Sequence, residues 1–250
     1  MNVYPITREP GIFWNLFSDE FVGFAGSDGI SSGIAVVLSE VRRMFIDIFG
    51  ADTVNSHPVL GVLYSSGVPQ TQRENALIFL ASSGLYYLNH IYQFAHELCH
   101  FMVPGNVCPP YRWLEETLCQ MMSWYVLQKL SETPAGAGVP QLASLYDRML
   151  PYVEQSQRAH CEIGSGCSLS EYISANLSHL RRDPYDRDMN SAIALGIYPL
   201  FLDRPELWKI VPFLDKLRGD MRLPDAVNFA CCAAGVPDIV RNELANRLCQ

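Results

Sequence analysis

The stretch QFAHELCHF, residues 93–101, sets two histidines four apart and a glutamate directly after the first. On a helix, positions i and i+4 share one face a turn apart. His96 and His100 can therefore aim both imidazoles at one point, and neutral imidazole is a good zinc ligand. Glu97 is rotated by about 100° from His96, so it flanks such an ion instead of binding it. From there its carboxylate can reach a water on the metal and take its proton. The spacing separates two tasks: holding a cation and moving a proton.

Two histidines leave a catalytic zinc short of a protein ligand, because three are usual. The run Trp113-Leu114-Glu115-Glu116-Thr117 supplies candidates one helix later. A break at 103–110 lets the second helix fold back across the first, which brings Glu115 or Glu116 beside the histidines. Either would complete a His₂Glu site.

HELCH followed by WLEE on the next helix resembles the gluzincin metallopeptidases. In that family the glutamate of the second helix is the third ligand, often in a W-L-x-E-G-x-A context. Trp113 and Leu114 match that context and Glu116 falls on the ligand position. Thr117 stands for the glycine and Cys119 for the alanine. Gln120, one turn after Glu116, stands where many members carry a carboxylate that supports the first histidine. The resemblance covers residues 57 to about 130. It implies Zn²⁺ held by His96, His100 and Glu116, a peptide or protein substrate, and Glu97 as general base in peptide-bond hydrolysis. It also implies that NALIFLAS, residues 75–82, is the edge strand on which an extended substrate pairs. The donor to the developing oxyanion comes, in the family, from a Tyr or His of the helical part. Tyr185, Tyr198 and His179 are the candidates, with Tyr185 favoured because DPYDRD at 183–188 reads as a helix start.

Several elements must position these groups. Ile34, Val37, Leu38, Val41, Met44, Phe45 and Ile48 recur at threes and fours, which predicts a helix from Ser31 or Ser32 as cap to Phe49, ended by Gly50. HPVLGVLYSS (57–66) and NALIFLAS read as two strands separated by turn formers. The motif helix spans about Tyr87 to Phe101, with Leu88, Ile91, Phe94 or Ala95, and Leu98 as its apolar stripe. The next helix covers about 111–130. Beyond the linker-like SETPAGAGVP (131–140), helical patterns follow at about 140–156, 168–181, 186–202, 205–218, 223–234 and 236–248. The expected fold class is α+β and zincin-like: a small sheet packed on the HExxH helix, followed by a mostly α-helical C-terminal part. The expected divisions are an N-terminal segment 1–30, a catalytic α+β domain 31–135 and a helical domain 136–250.

Bulk properties narrow the function classes. The 250 residues are 49% hydrophobic, enough for a substantial core. A net charge of −8 gives no electrostatic reason to seek nucleic acid or anionic lipid. No window has the ~20 apolar residues of a membrane helix. The start, MNVYPITREPGIFWNLFSDE, lacks a positive region followed by an apolar run. A cytoplasmic location and eight free thiols are expected. The competing reading is an inactive zincin-like or purely helical interaction module.

Overall fold

Helix α1 (Gly33–Phe49) buries the predicted stripe, from Ile34 through Val37, Leu38, Val41 and Phe45. It stops at Gly50, whose φ of 86° is left-handed and suits a residue without Cβ. The short helix α2 (Ala51–Asn55) follows at once. The computed structural model describes residues 3–6, 14–17, 33–57, 59, 61–82, 86–134, 140–159, 163–164 and 166–249. The expected cap at Ser31 or Ser32, most of segment 1–30 and residues 135–139 of the linker-like stretch lie outside them.

Both predicted strands form, shorter than their apolar runs: β3 (Gly61–Tyr64) and β5 (Leu77–Leu80), paired in parallel. Three more complete the sheet: β1 (Val3–Pro5), β2 (Asn15–Phe17) and β4 (Gln70–Gln72). The strand order is β1-β2-β3-β5-β4. β5 is therefore interior, and the edge assigned to NALIFLAS belongs instead to β4, which pairs antiparallel with β5. The physical reason lies in the residues. The polar QTQ of β4 tolerates an edge, which leaves β5 paired on both flanks with Ile78 and Leu80 fully buried. A turn over Arg73–Asn75 and a left-handed Ala76 (φ 54°) join β4 to β5.

Helix α3 (Tyr87–Phe101) packs on β4, β5 and α1. Helix α4 (Arg112–Ser131) is buried on nearly every side, and accordingly shows little apolar asymmetry. A single 3₁₀ turn, Pro109–Tyr111, leads into it. Helices α5 (Tyr146–Arg158), α6 (Leu169–Arg182), α7 (Arg187–Asp203), α8 (Leu223–Ala233) and α9 (Asp238–Cys249) follow. The stretch Pro205–Lys216 is 3₁₀, with Pro212 unable to donate the main-chain hydrogen bond of a regular α-helix. The chain is thus α+β, mainly helical with one small sheet.

Packing divides it into two compact units, residues 1–101 with 122–154 and residues 102–121 with 155–250. The borders fall at the end of α3 and inside α4 and α5. The first unit holds the sheet, α1, α3 and the second half of α4. In the second, Leu114 and Leu118 of α4 meet Ile197, Phe201, Leu214 and Leu244, and Phe201 stacks edge-on against Trp208 at 4.8 Å. Among the described residues no helix is long and apolar enough to cross a membrane, and all seven described cysteines are free thiols.

Candidate metal centre

Two helical stripes carry the site. On α3, Tyr92, His96 and His100 are half-buried and stand at i, i+4 and i+8, while Ile91, Phe94, Ala95, Leu98 and Cys99 are fully buried. On the first half of α4 the half-buried positions are Arg112, Glu116 and Gln120, again at i, i+4 and i+8. The donors therefore occupy the one side of each helix that is not packed shut.

The ligand atoms of His96, His100 and Glu116 all lie within 4.8 Å of one another. The two imidazole Nε2 atoms are 3.3 Å apart, with the rings inclined at 69°. Two nitrogens bound to one tetrahedral zinc at 2.0–2.1 Å would be separated by about 3.3–3.4 Å. The imidazole spacing fits that ion, and two imidazoles with one carboxylate are a donor set that zinc accepts. Glu116 belongs to the cluster and Glu115 does not; Glu115 is buried at 6% exposure on a different side of α4. Thr117, where the resembled pattern has glycine, is fully buried and satisfied by donating to the Trp113 carbonyl at 2.8 Å. Cys99 is buried and takes no part in the cluster.

Glu97 is 95% buried, as its exposure of 5% states, and a buried carboxylate needs partners. Thr71 of β4 provides one that sequence reasoning missed. Its hydroxyl stands 2.9 Å from the Glu97 carboxylate Oε2 and 2.8 Å from the Glu97 main-chain oxygen. Two residues on, Arg73 donates through Nε to the His100 carbonyl at 2.9 Å, where the negative end of the α3 dipole favours a cation. The edge strand and the turn after it thus grip α3 at the base candidate and at one ligand. Gln93 fixes the middle of α3 by accepting from the Ala81 and Ser82 amides at 2.9 and 3.0 Å. Ser123 of α4 donates to the Tyr92 carbonyl at 2.9 Å, tying α4 to α3.

The oxyanion candidates belong to α6, α7 and the turn between them. Tyr185 lies in the turn before α7 with 61% exposure, and Tyr198 is buried inside α7. His179 is engaged at both ring nitrogens, with Arg182 3.3 Å from Nδ1 and Asp186 2.9 Å from Nε2. Arginine can only donate, so the Nδ1 accepts and the Nε2 proton goes to Asp186. That leaves the ring no proton for an oxyanion. The Met189 amide, followed by the His179 ring, holds the Asp186 carboxyl below the usual carboxylate range against the opposing effect of burial. His179, Asp183 and Asp186 also lie within ligand distance of one another, but the hydrogen bonds just described use the imidazole nitrogens a metal would need.

Compared with known proteins, the chain matches no family model, no curated sequence and no solved structure.

Proposed function

We propose that this protein is a zinc-dependent peptide-bond hydrolase of the zincin type, with His96, His100 and Glu116 as metal ligands and Glu97 as general base. The observation that carries the reading is the convergence of these three donors from two helices, with the imidazole nitrogens at the separation a tetrahedral zinc requires. A zinc ion held there would supply a Lewis acid that polarises the scissile carbonyl and makes water more acidic.

The chain's own residues do the rest. Glu97 takes a proton from the attacking water as its oxygen bonds to the carbonyl carbon, and delivers that proton to the amide nitrogen as the C–N bond breaks. Thr71 serves Glu97 in both states. It donates to the carboxylate when Glu97 is ionised; when Glu97 carries the proton, the hydroxyl turns to the main-chain oxygen and accepts from the acid. An extended peptide adds to the sheet at β4, the strand on the α3 side of the sheet order, through main-chain hydrogen bonds. Tyr185, whose side chain is exposed, is the residue proposed to donate to the oxyanion.

Replacing Glu97 by Gln tests the reading. The amide can still accept from Thr71, so fold and zinc content should persist. Cleavage of a peptide library should fall by about 10²–10⁴-fold. Activity within a few-fold of wild type would remove Glu97 from the chemistry. A zinc-loaded wild type without activity would make the protein a metal-stabilised binding module.

A further inference from the structure

The Thr71 contact joins two things that a hydrolase must coordinate, the strand that receives the substrate and the carboxylate that moves the proton. β4 is three residues long, polar, and bonded on one side to β5 with Gln70 opposite Phe79, Thr71 opposite Ile78 and Gln72 opposite Leu77. An edge of that length is weakly held, because its main-chain groups on the outer side have no strand to pair with among the described residues. The hold on Glu97 from outside α3 comes from the central residue of this strand, at 2.9 Å. Thr71 sends its side chain toward α3, so its neighbours Gln70 and Gln72 send theirs to the opposite face. Arg73, at the strand's end, is anchored on the His100 carbonyl. Among the described residues the start of the strand has no such side-chain anchor: the loop before it carries Val68, at 66% exposure, and Pro69.

From this arrangement we infer that Thr71 is a positioning residue through which pairing of an extended peptide on β4 aligns the Glu97 carboxylate. The inference rests on the hydrolase reading above and names its substrate class: unstructured peptide segments long enough to add a strand beside Gln70–Gln72, rather than dipeptides or folded surfaces. A segment that pairs with β4 makes it an interior strand and fixes its position along α3. The Thr71 hydroxyl is then held where it meets the carboxylate, and the binding energy of residues remote from the scissile bond appears in kcat. A peptide too short to reach β4 leaves the strand at the edge and obtains less of this alignment.

The test uses one peptide that the library identifies as cleaved, shortened in steps from eight residues to three. For the wild type, kcat should rise by about 10- to 100-fold from the shortest to the longest, the range that a misplaced catalytic group can cost. Thr71→Val should lower kcat on the eight-residue peptide by a similar factor and flatten the dependence on length, with zinc content and KM little changed. Thr71→Ser, which keeps the hydroxyl, should restore most of the rise. In Glu97→Gln, the eight-residue peptide should slow amide exchange in β4. The inference is overturned if Thr71→Val lowers kcat equally on short and long peptides, if it matches wild type on the long one, or if Thr71→Ser behaves like Thr71→Val. The hydrolase reading fails separately, if Glu97→Gln keeps its activity or the wild type has none.

Discussion

Zinc should stabilise this protein by an amount set by its concentration. The three donors come from α3 and α4, and their convergence exists only in the folded chain. An ion that binds the folded chain alone adds RT ln(1 + [Zn]/Kd), which is about 2.7 kcal/mol at a hundredfold excess over Kd. For a chain of 250 residues, each kcal/mol moves the midpoint of unfolding by about 2–4 °C. Protein stripped with chelator and then given that excess of zinc should therefore melt about 5–10 °C higher. Differential scanning fluorimetry over a zinc titration reads this directly, and each further tenfold in zinc should add about 1.4 kcal/mol. Magnesium, which prefers six oxygen ligands, should give no comparable shift at the same concentration. Glu116→Ala should reduce the zinc effect, whereas Glu115→Ala should leave it in place even if it lowers the starting midpoint. A midpoint indifferent to zinc would refute the reasoning. So would an undiminished shift in Glu116→Ala.

Two further outcomes follow from other parts of the fold. Asp186 caps α7 by accepting from the Met189 amide at 3.0 Å, and its carboxyl is held below the usual range chiefly by that bond. A lowered carboxyl contributes stability above its unfolded value of about 3.9 and loses it as pH falls through the folded value. Asp186→Ala should cost about 1 kcal/mol at neutral pH by denaturant unfolding, with the difference from wild type closing as pH falls below about 4; a constant difference down to acid pH would contradict this. Among the thiols, Cys167 and Cys232 are exposed, while Cys99, Cys119 and Cys231 are buried and burial pushes Cys231 and Cys249 up to about 11. A thiol reagent at pH 8 should modify Cys167 and Cys232 first, and prompt labelling of Cys99 or Cys119 in the native protein would count against the packing of α3 and α4.

Sequence pattern exposed what is local and periodic. The i, i+4 geometry of His96 and His100 belongs to one helix, so their shared face is readable from spacing alone. Helices α1, α3 and α4 end within a residue or two of their expected limits because apolar period, Gly50 and the 103–110 break all agree. The carboxylate was narrower than a pattern could resolve. Glu115 and Glu116 differ by one residue, and the side of α4 left unsealed by packing is what puts Glu116 in the cluster. β4 carried no signal: QTQ has no apolar alternation, and an edge strand needs none. Thr71 was equally hidden, since its contact with Glu97 spans 26 residues of sequence. Strands β1 and β2, at three residues each, are too short for a period to show. The interior place of β5 follows from pairing on both flanks, which depends on partners that its own residues do not specify.

The central claim is that one divalent cation is shared by His96, His100 and Glu116. Native mass spectrometry of protein purified without added metal measures it most directly, paired with elemental analysis of the same sample. The account predicts one zinc per chain in the wild type, retained in Glu97→Gln and in Glu115→Ala and lost in His96→Ala and in Glu116→Ala. A folded wild type that holds no zinc after zinc is supplied, or one zinc that survives both His96→Ala and Glu116→Ala, would contradict it.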